Sequence, residues 1–436
     1  MKNIFAYKLS VLLLLAFTLQ SCFVAKNYDR PDLHEIDRLY RTDHVATDSA
    51  LTAVLSWKEL FTDPLLSEYI EDGLQNNLDI RIALQQIAAA ESYMKQGKMG
   101  YLPSLDAKAS MTHQELAPNS QFGSFFSGSI EQFELTGNLS WEADIWGKIR
   151  SNQRATQASY LQSMAAHQAV KTRLISQIAS NYYLLLALEQ QHKITEETIE
   201  NRKKSLQTIQ ALKEAGNVTQ VAVDQTAAQL YNAQALLIDI EKNIFRTENA
   251  FAILLGKPAT HIDRSYLGNQ TLTRDLNIGL PAHLLANRPD VLAAEFRLMN
   301  TFELTNVAKS SFYPSLTLTG TGGLQSLEFK EWFSSGSLFA TLVGGITQPI
   351  FNKRRIRTQY EVAKAQQEEF RQNEVESLRK AELNSEILLN NGFGTYLDLL
   401  TARQNALNAE LNTIDNKLQQ LQAVVELYRA LGGGWK

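Results

Sequence analysis

Phe133-Glu134-Leu135-Thr136-Gly137-Asn138-Leu139-Ser140-Trp141 alternates apolar and polar positions without a break. Period two is the mark of a strand with two unlike faces. Upstream, Leu105, Ala107, Ala109 and Met111 alternate with Asp106, Lys108 and Ser110. Downstream, Leu316 and Leu318 alternate with Thr317, Thr319 and Thr321, and the run from Ser337 to Thr347 is mostly small and apolar. Strands are therefore expected over 102–112, 131–142, 314–323 and 337–348. Each is roughly 10 residues, the length of a tilted strand crossing a bilayer. Lipid on one face and water on the other suits the alternation, although a soluble sandwich with one buried face would give it too. Four strands in a membrane leave open edges, which lipid does not tolerate. The smallest closed barrels need about 8 strands, so the strands must be pooled between chains. The segments at the strand tips fit an exposed position: 113–130 holds Pro118, Asn119, Gly123 and Gly128, and 324–336 holds Ser334, Ser335 and Gly336.

Outward from the strands, the chain repeats itself. Asn77-Leu78-Asp79-Ile80 leads to Tyr101-Leu102-Pro103-Ser104-Leu105, and Arg288-Pro289-Asp290-Val291 leads to Phe312-Tyr313-Pro314-Ser315-Leu316. Asp79 to Pro103 is 24 steps, and so is Asp290 to Pro314. Gly216-Asn217-Val218-Thr219 is followed 40 residues on by Gly256, and Gly392-Phe393-Gly394-Thr395 is followed 40 residues on by Gly432. Such agreement marks a duplicated unit. The copies span 57–256 and 288–436. The segment between them, 257–287, is rich in Pro, Gly, Asn and Asp and reads as a connector.

After each strand pair comes a long helical stretch, a turn and a return helix, giving hairpins over 148–255 and 353–431. The first return helix carries Leu230, Ala233, Leu237, Ile240, Ile244, Thr247, Phe251 and Leu254 in 3-4 spacing. The second carries Leu407, Leu411, Ile414, Leu418, Leu421, Val425 and Tyr428. Such seams want a partner helix. Gly216 and Gly392 can take the positive φ that ends a helix, and Thr219 and Thr395 can cap the next one. On physical grounds alone these are well-made turns. The copies differ in one interval. Gly147 to Gly216 is 69 steps, but Asn352 to Gly392 is only 40. The second outgoing helix is shorter by about 29 residues, or roughly 44 Å at 1.5 Å per residue. The join falls near Phe370-Arg371-Gln372-Asn373-Glu374.

Residues 1–21 read as a signal peptide, with Lys2 and Lys8 before an apolar run from Leu9 to Leu19. Leu19-Gln20-Ser21-Cys22 has the form of a bacterial lipoprotein signal. Cys22 is the sole cysteine, so no intrachain disulfide can form, and it is expected to carry the lipid at the head of an extended segment, 22–56. Removing residues 1–21 takes the formal charge from −4 to −6. No basic stripe suggests nucleic acid. The histidines His34, His44, His113, His167, His192, His261 and His283 show no metal-ligand spacing. The methionines form no cluster, and Gly432-Gly433-Gly434 lacks the Lys-Ser/Thr of a phosphate loop. Neither a catalytic set nor a cofactor is expected. The expected class is mainly α with a small antiparallel β part and an internal two-fold repeat.

Together these stretches resemble the TolC-like outer membrane efflux family, in particular its lipoprotein branch of the NodT type. The matching residues are Trp57 with Leu60-Phe61-Thr62-Asp63-Pro64-Leu65, and Trp141-Glu142-Ala143-Asp144-Ile145-Trp146-Gly147-Lys148. The match continues with Arg288-Pro289-Asp290-Val291, Phe312 to Leu316, Gln348-Pro349-Ile350-Phe351 and Tyr396-Leu397-Asp398-Leu399-Leu400-Thr401-Ala402. The resemblance implies a homotrimer in which each chain gives four strands to one transmembrane β-barrel above a periplasmic α-barrel. It also implies outer membrane lipid, a periplasmic adaptor protein and an inner-membrane transporter of the RND type as partners. By the same resemblance Gly216, Thr219, Gly392 and Thr395 mark adaptor-contacting hairpin tips, and Asp398 lines a periplasmic gate. The offset of Asp398 from Gly392 leads from Gly216 to Ala222, so copy one lacks this acid. The expected function is the exit duct of an efflux pump, and the shortened helix is expected to compromise it as a sealed duct. A lipid-anchored coiled-coil scaffold or adaptor is the alternative, and an envelope enzyme a more distant one.

Overall fold

A computed structural model describes residues 24–29, 56–121, 124, 129–270, 288–383, 400–430 and 432–435. The signal segment, Cys22, Gly392, Thr395 and Asp398 lie outside the described residues, as do most of 22–56 and the connector beyond 270. The described part is mostly helical with one four-stranded antiparallel sheet. The helices are α1 (Trp57–Leu60), α2 (Pro64–Asn76), α3 (Leu78–Met99), α4 (Lys148–Glu214), α5 (Gln220–Leu254), α6 (Pro289–Ser310), α7 (Arg355–Leu383) and α8 (Leu400–Ala430). The strands are β1 (Ser104–Glu115), β2 (Ser129–Ala143), β3 (Ser315–Ser326) and β4 (Leu338–Thr347).

Two compact units divide the chain. The first gathers Ala89–Leu161 and Glu295–Gln372 with the N-terminal residues, and holds the sheet in the order β1-β2-β3-β4. The strand ends correct the sequence expectation by one to three residues. β1 starts at Ser104 rather than 102, where the chain leaves a turn closed by Leu102 N–H on the Met99 carbonyl and passes Pro103, which has no N–H to pair. It runs on to Glu115 because its ladder with β2 continues to Ser129. β3 extends to Ser326, and Ser337 belongs to a 3-10 turn rather than to β4.

The second unit gathers Asp32–Ala88, Gln162–Ala294 and Asn373–Lys436. Its core joins Leu66 and Ile70 of α2, Ile175, Ile178, Tyr182 and Leu185 of α4, Phe251 of α5, and Leu421, Val425 and Tyr428 of α8. The seam residues Leu230, Ala233, Ile240, Thr247 and Phe251 are buried, as are Leu407, Ile414 and Leu418 on the other return helix. α8 runs beside α4, with Gln191 Nε2 donating to Asp415 Oδ1 at 2.8 Å. The return helices α5 and α8 end alike: Gly256 and Gly432 take φ of +67° and +82°. Lys257 N–H reaches back to the Ala252 carbonyl and Gly433 N–H to the Tyr428 carbonyl, both at 3.0 Å. Outgoing helices α4 and α7 differ, with 67 and 29 residues described. α7 runs without interruption through residues 370–374.

Candidate functional site: a two-faced sheet, a helical tip and a docked N-terminus

The register of the sheet sorts its side chains into two faces. Leu105 pairs with Leu139, which pairs with Gly320, which pairs with Leu342. One face therefore carries Leu105, Ala107, Ala109 and Met111 from β1, and Leu135, Gly137, Leu139 and Trp141 from β2. β3 adds Leu316, Leu318, Gly320, Gly322 and Leu324 to it, and β4 adds Leu338, Ala340, Leu342, Gly344 and Ile346. No polar side chain interrupts these rows. Leu105, Leu338, Leu342 and Ile346 are each more than 70% exposed, so none of the described residues covers these positions. The opposite face is mostly polar: it carries Asp106, Lys108, Glu134, Asn138, Ser140, Thr317, Thr319, Thr321, Gln325 and Thr341, with Phe339 and Val343 as its apolar members on β4. Its polar groups meet across strands, with Thr321 Oγ1 donating to Asn138 Oδ1 at 3.0 Å and Gln325 Nε2 to Glu134 Oε1 at 3.2 Å. β1 and β4 have no further partner in the sheet. Among the described residues no helix is long and apolar enough to cross a membrane.

The first hairpin tip is the turn between α4 and α5. Gly216 takes φ +78°, its N–H bonds the Lys213 carbonyl at 2.9 Å, and Asn217 N–H bonds the Leu212 carbonyl at 2.8 Å. This is the closed end that a left-handed residue permits. Gly216 and Thr219 are exposed. Thr219 sits at the N-cap of α5, but its side chain makes no capping hydrogen bond, which corrects the expected role. Its carbonyl instead accepts from Ala222 N–H at 3.1 Å. The second tip, with Gly392, Thr395 and Asp398, lies outside the described residues.

Two clusters escaped the sequence reading. In the sheet unit, residues 24–29 dock on α6 and the start of α4. Lys26 N–H donates to Asn306 Oδ1 at 3.3 Å, and Asn306 Nδ2 donates to the Lys26 carbonyl at 2.9 Å. Arg154 Nη1 donates to Asn27 Oδ1 at 2.9 Å, while its Nε pairs with the buried Glu303 at 2.9 Å. Val24 and Ala25 are buried, and Tyr28 packs edge-on against Phe302 at 5.5 Å. In the helical unit, Asp63 caps α2 through Leu65 N–H and accepts from Tyr182 Oη at 3.0 Å, Gln270 Nε2 at 2.7 Å and Ser265 Oγ. Burial pushes the Asp63 carboxyl upward, but the donors Ser265, Gln270, Tyr182 and Leu65 N–H outweigh it and hold the group below its ordinary value. Burial pushes the Tyr182 hydroxyl up to about 12, so it stays a donor. The partners are 119 and more residues from Asp63 in sequence, and no local pattern announces them. Among the described residues no group of three His, Cys, Asp or Glu side chains could hold a metal ion.

The family model described as outer membrane efflux protein matches residues 69–257 and 280–381. The solvent efflux pump outer membrane protein SrpC of Pseudomonas putida is 27% identical over 419 residues, covering 89% of this chain and 89% of that protein. The outer membrane protein OprJ of Pseudomonas aeruginosa is 27% identical over 460 residues, covering 97% and 95%. Among solved structures, the CmeC outer membrane channel of Campylobacter jejuni aligns with a TM-score of 0.80 at 23% identity, over 95% of each chain. The open MtrE channel of Neisseria gonorrhoeae aligns with a TM-score of 0.78 at 23% identity, over 94% of this chain and 98% of that one. The family match takes in well over half of the residues, in both copies of the repeat, and the chain belongs to the outer membrane efflux protein family.

Proposed function

We propose that this chain is the outer-membrane exit duct of an efflux pump, and that it works as a homotrimer. The observation that carries this reading is the sheet with one apolar exposed face, one polar face and two open edges. Lipid contact accounts for the first face and a water-filled lumen for the second. Open edges in lipid are satisfied only by closure onto another chain. β1 and β4 run in opposite directions, so the β1 edge of one copy can pair antiparallel with the β4 edge of the next. Family relatives bear pump names, and a tripartite arrangement gives the partners: a periplasmic adaptor and an inner-membrane transporter, of the RND type.

The adaptor meets the hairpin tips at Gly216 and Thr219 and at Gly392 and Thr395, and Asp398 faces the closed gate as one of three acids. Cys22 carries the acyl anchor. Docking of residues 24–29 on the unit that holds the sheet supports that role, because it ties the chain two residues from Cys22 to the membrane-facing unit. The scaffold alternative leaves the exposed apolar face unexplained. The test is outer-membrane extraction and planar-bilayer recording of the purified full chain. Heat-modifiable oligomers with ohmic conductance are expected. A water-soluble protein without conductance would overturn the duct and favour the scaffold.

A further inference from the structure

The loop between β3 and β4 folds back onto the apolar face of the sheet. Phe133 belongs to the same row of β2 as Leu135, Leu139 and Trp141, yet it is buried while Leu135 and Trp141 are exposed. Its cover comes from the loop. Phe329 stands edge-on to it at 5.5 Å and Trp332 lies tilted over it at 5.7 Å, with Phe333 against Trp332 at 5.0 Å. Two 3-10 turns, Phe329–Glu331 and Ser335–Ser337, shape the loop. Ser337 Oγ fixes it by donating to the Glu331 carbonyl at 2.6 Å. The far sides of this cluster are bare: Phe329 and Phe333 are 65% and 67% exposed. Lys330 and Glu328 alternate with these rings and pair at 2.7 Å, leaving a charged rim beside an aromatic surface.

We propose that Phe329, Trp332 and Phe333 form a foot that seats in the interfacial layer of the lipid and sets the depth of the sheet in the membrane. This rests on the reading of the apolar face as lipid-facing. The cluster is continuous with that face, and it stands on the face rather than on the β1 or β4 edge where a second copy would pair. Aromatic rings mixed with charge suit the layer between hydrocarbon and water. The other end of the same row bears Trp141, whose indole donates to the Tyr101 carbonyl at 2.9 Å. Eight residues separate Phe133 from Trp141, about 26 Å along the strand. At a tilt of about 40° that is roughly 20 Å of depth, most of an apolar band of about 25 Å between two aromatic girdles.

Cys22 is the sole native cysteine and its thiol is taken up by the acyl anchor, so the mature chain accepts one nitroxide label at Phe333→Cys, Lys330→Cys or Leu342→Cys, with the unsubstituted chain as the blank. The full chain is reconstituted in phosphatidylethanolamine and phosphatidylglycerol vesicles, and collisions with oxygen and with a nickel chelate are compared. The label at 342 should favour oxygen most. The label at 333 should favour oxygen several-fold more than the label at 330. Equal nickel access at 333 and 330 places the loop in water and overturns the foot while the lipid-facing sheet stands. Shielding of 333 from both probes means a second copy covers it and also overturns the foot. Nickel access at 342 overturns the lipid-facing sheet, and the foot with it.

Discussion

At the scale of single residues, the structure separates positions that look alike in sequence. Gly216 and Gly256 both end helices with positive φ, but nothing lies within 4 Å of a Cβ added at Gly216. At Gly256 the added atom would stand 2.5 Å from the Asn76 carbonyl oxygen, part of the backbone from which α3 departs. Gly216→Ala is therefore expected to cost about 1 kcal/mol, the backbone term alone. Gly256→Ala should cost about 3 kcal/mol, since a packed backbone must also shift. Thermal unfolding of the detergent-solubilised protein gives the order, and equal losses would mean that the Asn76 contact is slack. Asp63 yields a second expectation. Its folded pKa lies below the unfolded value of about 3.9, so its contribution is full above that pH and is lost as pH falls through the folded value. Asp63→Asn should lower stability by about 2 kcal/mol at neutral pH. It should also flatten the wild-type decline as the pH falls below about 4. Unfolding midpoints of both proteins across that range check this, and parallel curves would assign the acid sensitivity elsewhere.

At the scale of elements, the faces of the strands can be tested one residue apart. Leu342 lies mid-strand on the apolar face, and its neighbour Thr341 lies on the polar one. Leu342→Arg should cost about 2–4 kcal/mol if that face meets hydrocarbon, whereas Thr341→Arg should leave assembly intact and change conductance. Recovery of heat-modifiable oligomers from outer membranes reads the first effect, and single-channel recording reads the second. The strands and seams were legible because their signals are local. Alternation over Phe133 to Trp141 needs no partner to be seen, and neither does the 3-4 rhythm from Leu230 to Phe251. The register was not legible, because Gly137 facing Gly322 depends on how two distant hairpins align. The docking of Lys26 on Asn306 was hidden for the same reason. It recognises a backbone amide and carbonyl across 280 residues, and backbone groups leave no mark in sequence. The loop foot was hidden differently: Phe329, Trp332 and Phe333 stand in plain view, but their meaning depends on Phe133 lying beneath them.

At the scale of the whole molecule, the two copies of the repeat do not supply the same length of helix. Among the described residues the return helices are nearly matched, with 35 residues in α5 and 31 in α8. α8 keeps a buried seam against α4 through Ile414, Leu418, Leu421 and Val425. The outgoing partner does not keep pace. Asn352 to Gly392 allows 40 steps where Gly147 to Gly216 allows 69. A helix deficit of about 29 residues is roughly 44 Å of wall per chain. Three chains arranged around one axis would then leave three uncovered strips. Lengthening is the direct test. Inserting 29 residues of α4 sequence between Gln372 and Asn373 restores the interval without touching the sheet or either return helix. The chain as it stands should insert and conduct, yet fail to protect a duct-deficient host from drugs when supplied with adaptor and transporter. The lengthened variant should recover protection by ten-fold or more in minimal inhibitory concentration, with equal amounts in the membrane. Full protection by the unlengthened chain would show that its shorter hairpin seals, and that the length of the second outgoing helix is not what closes the wall.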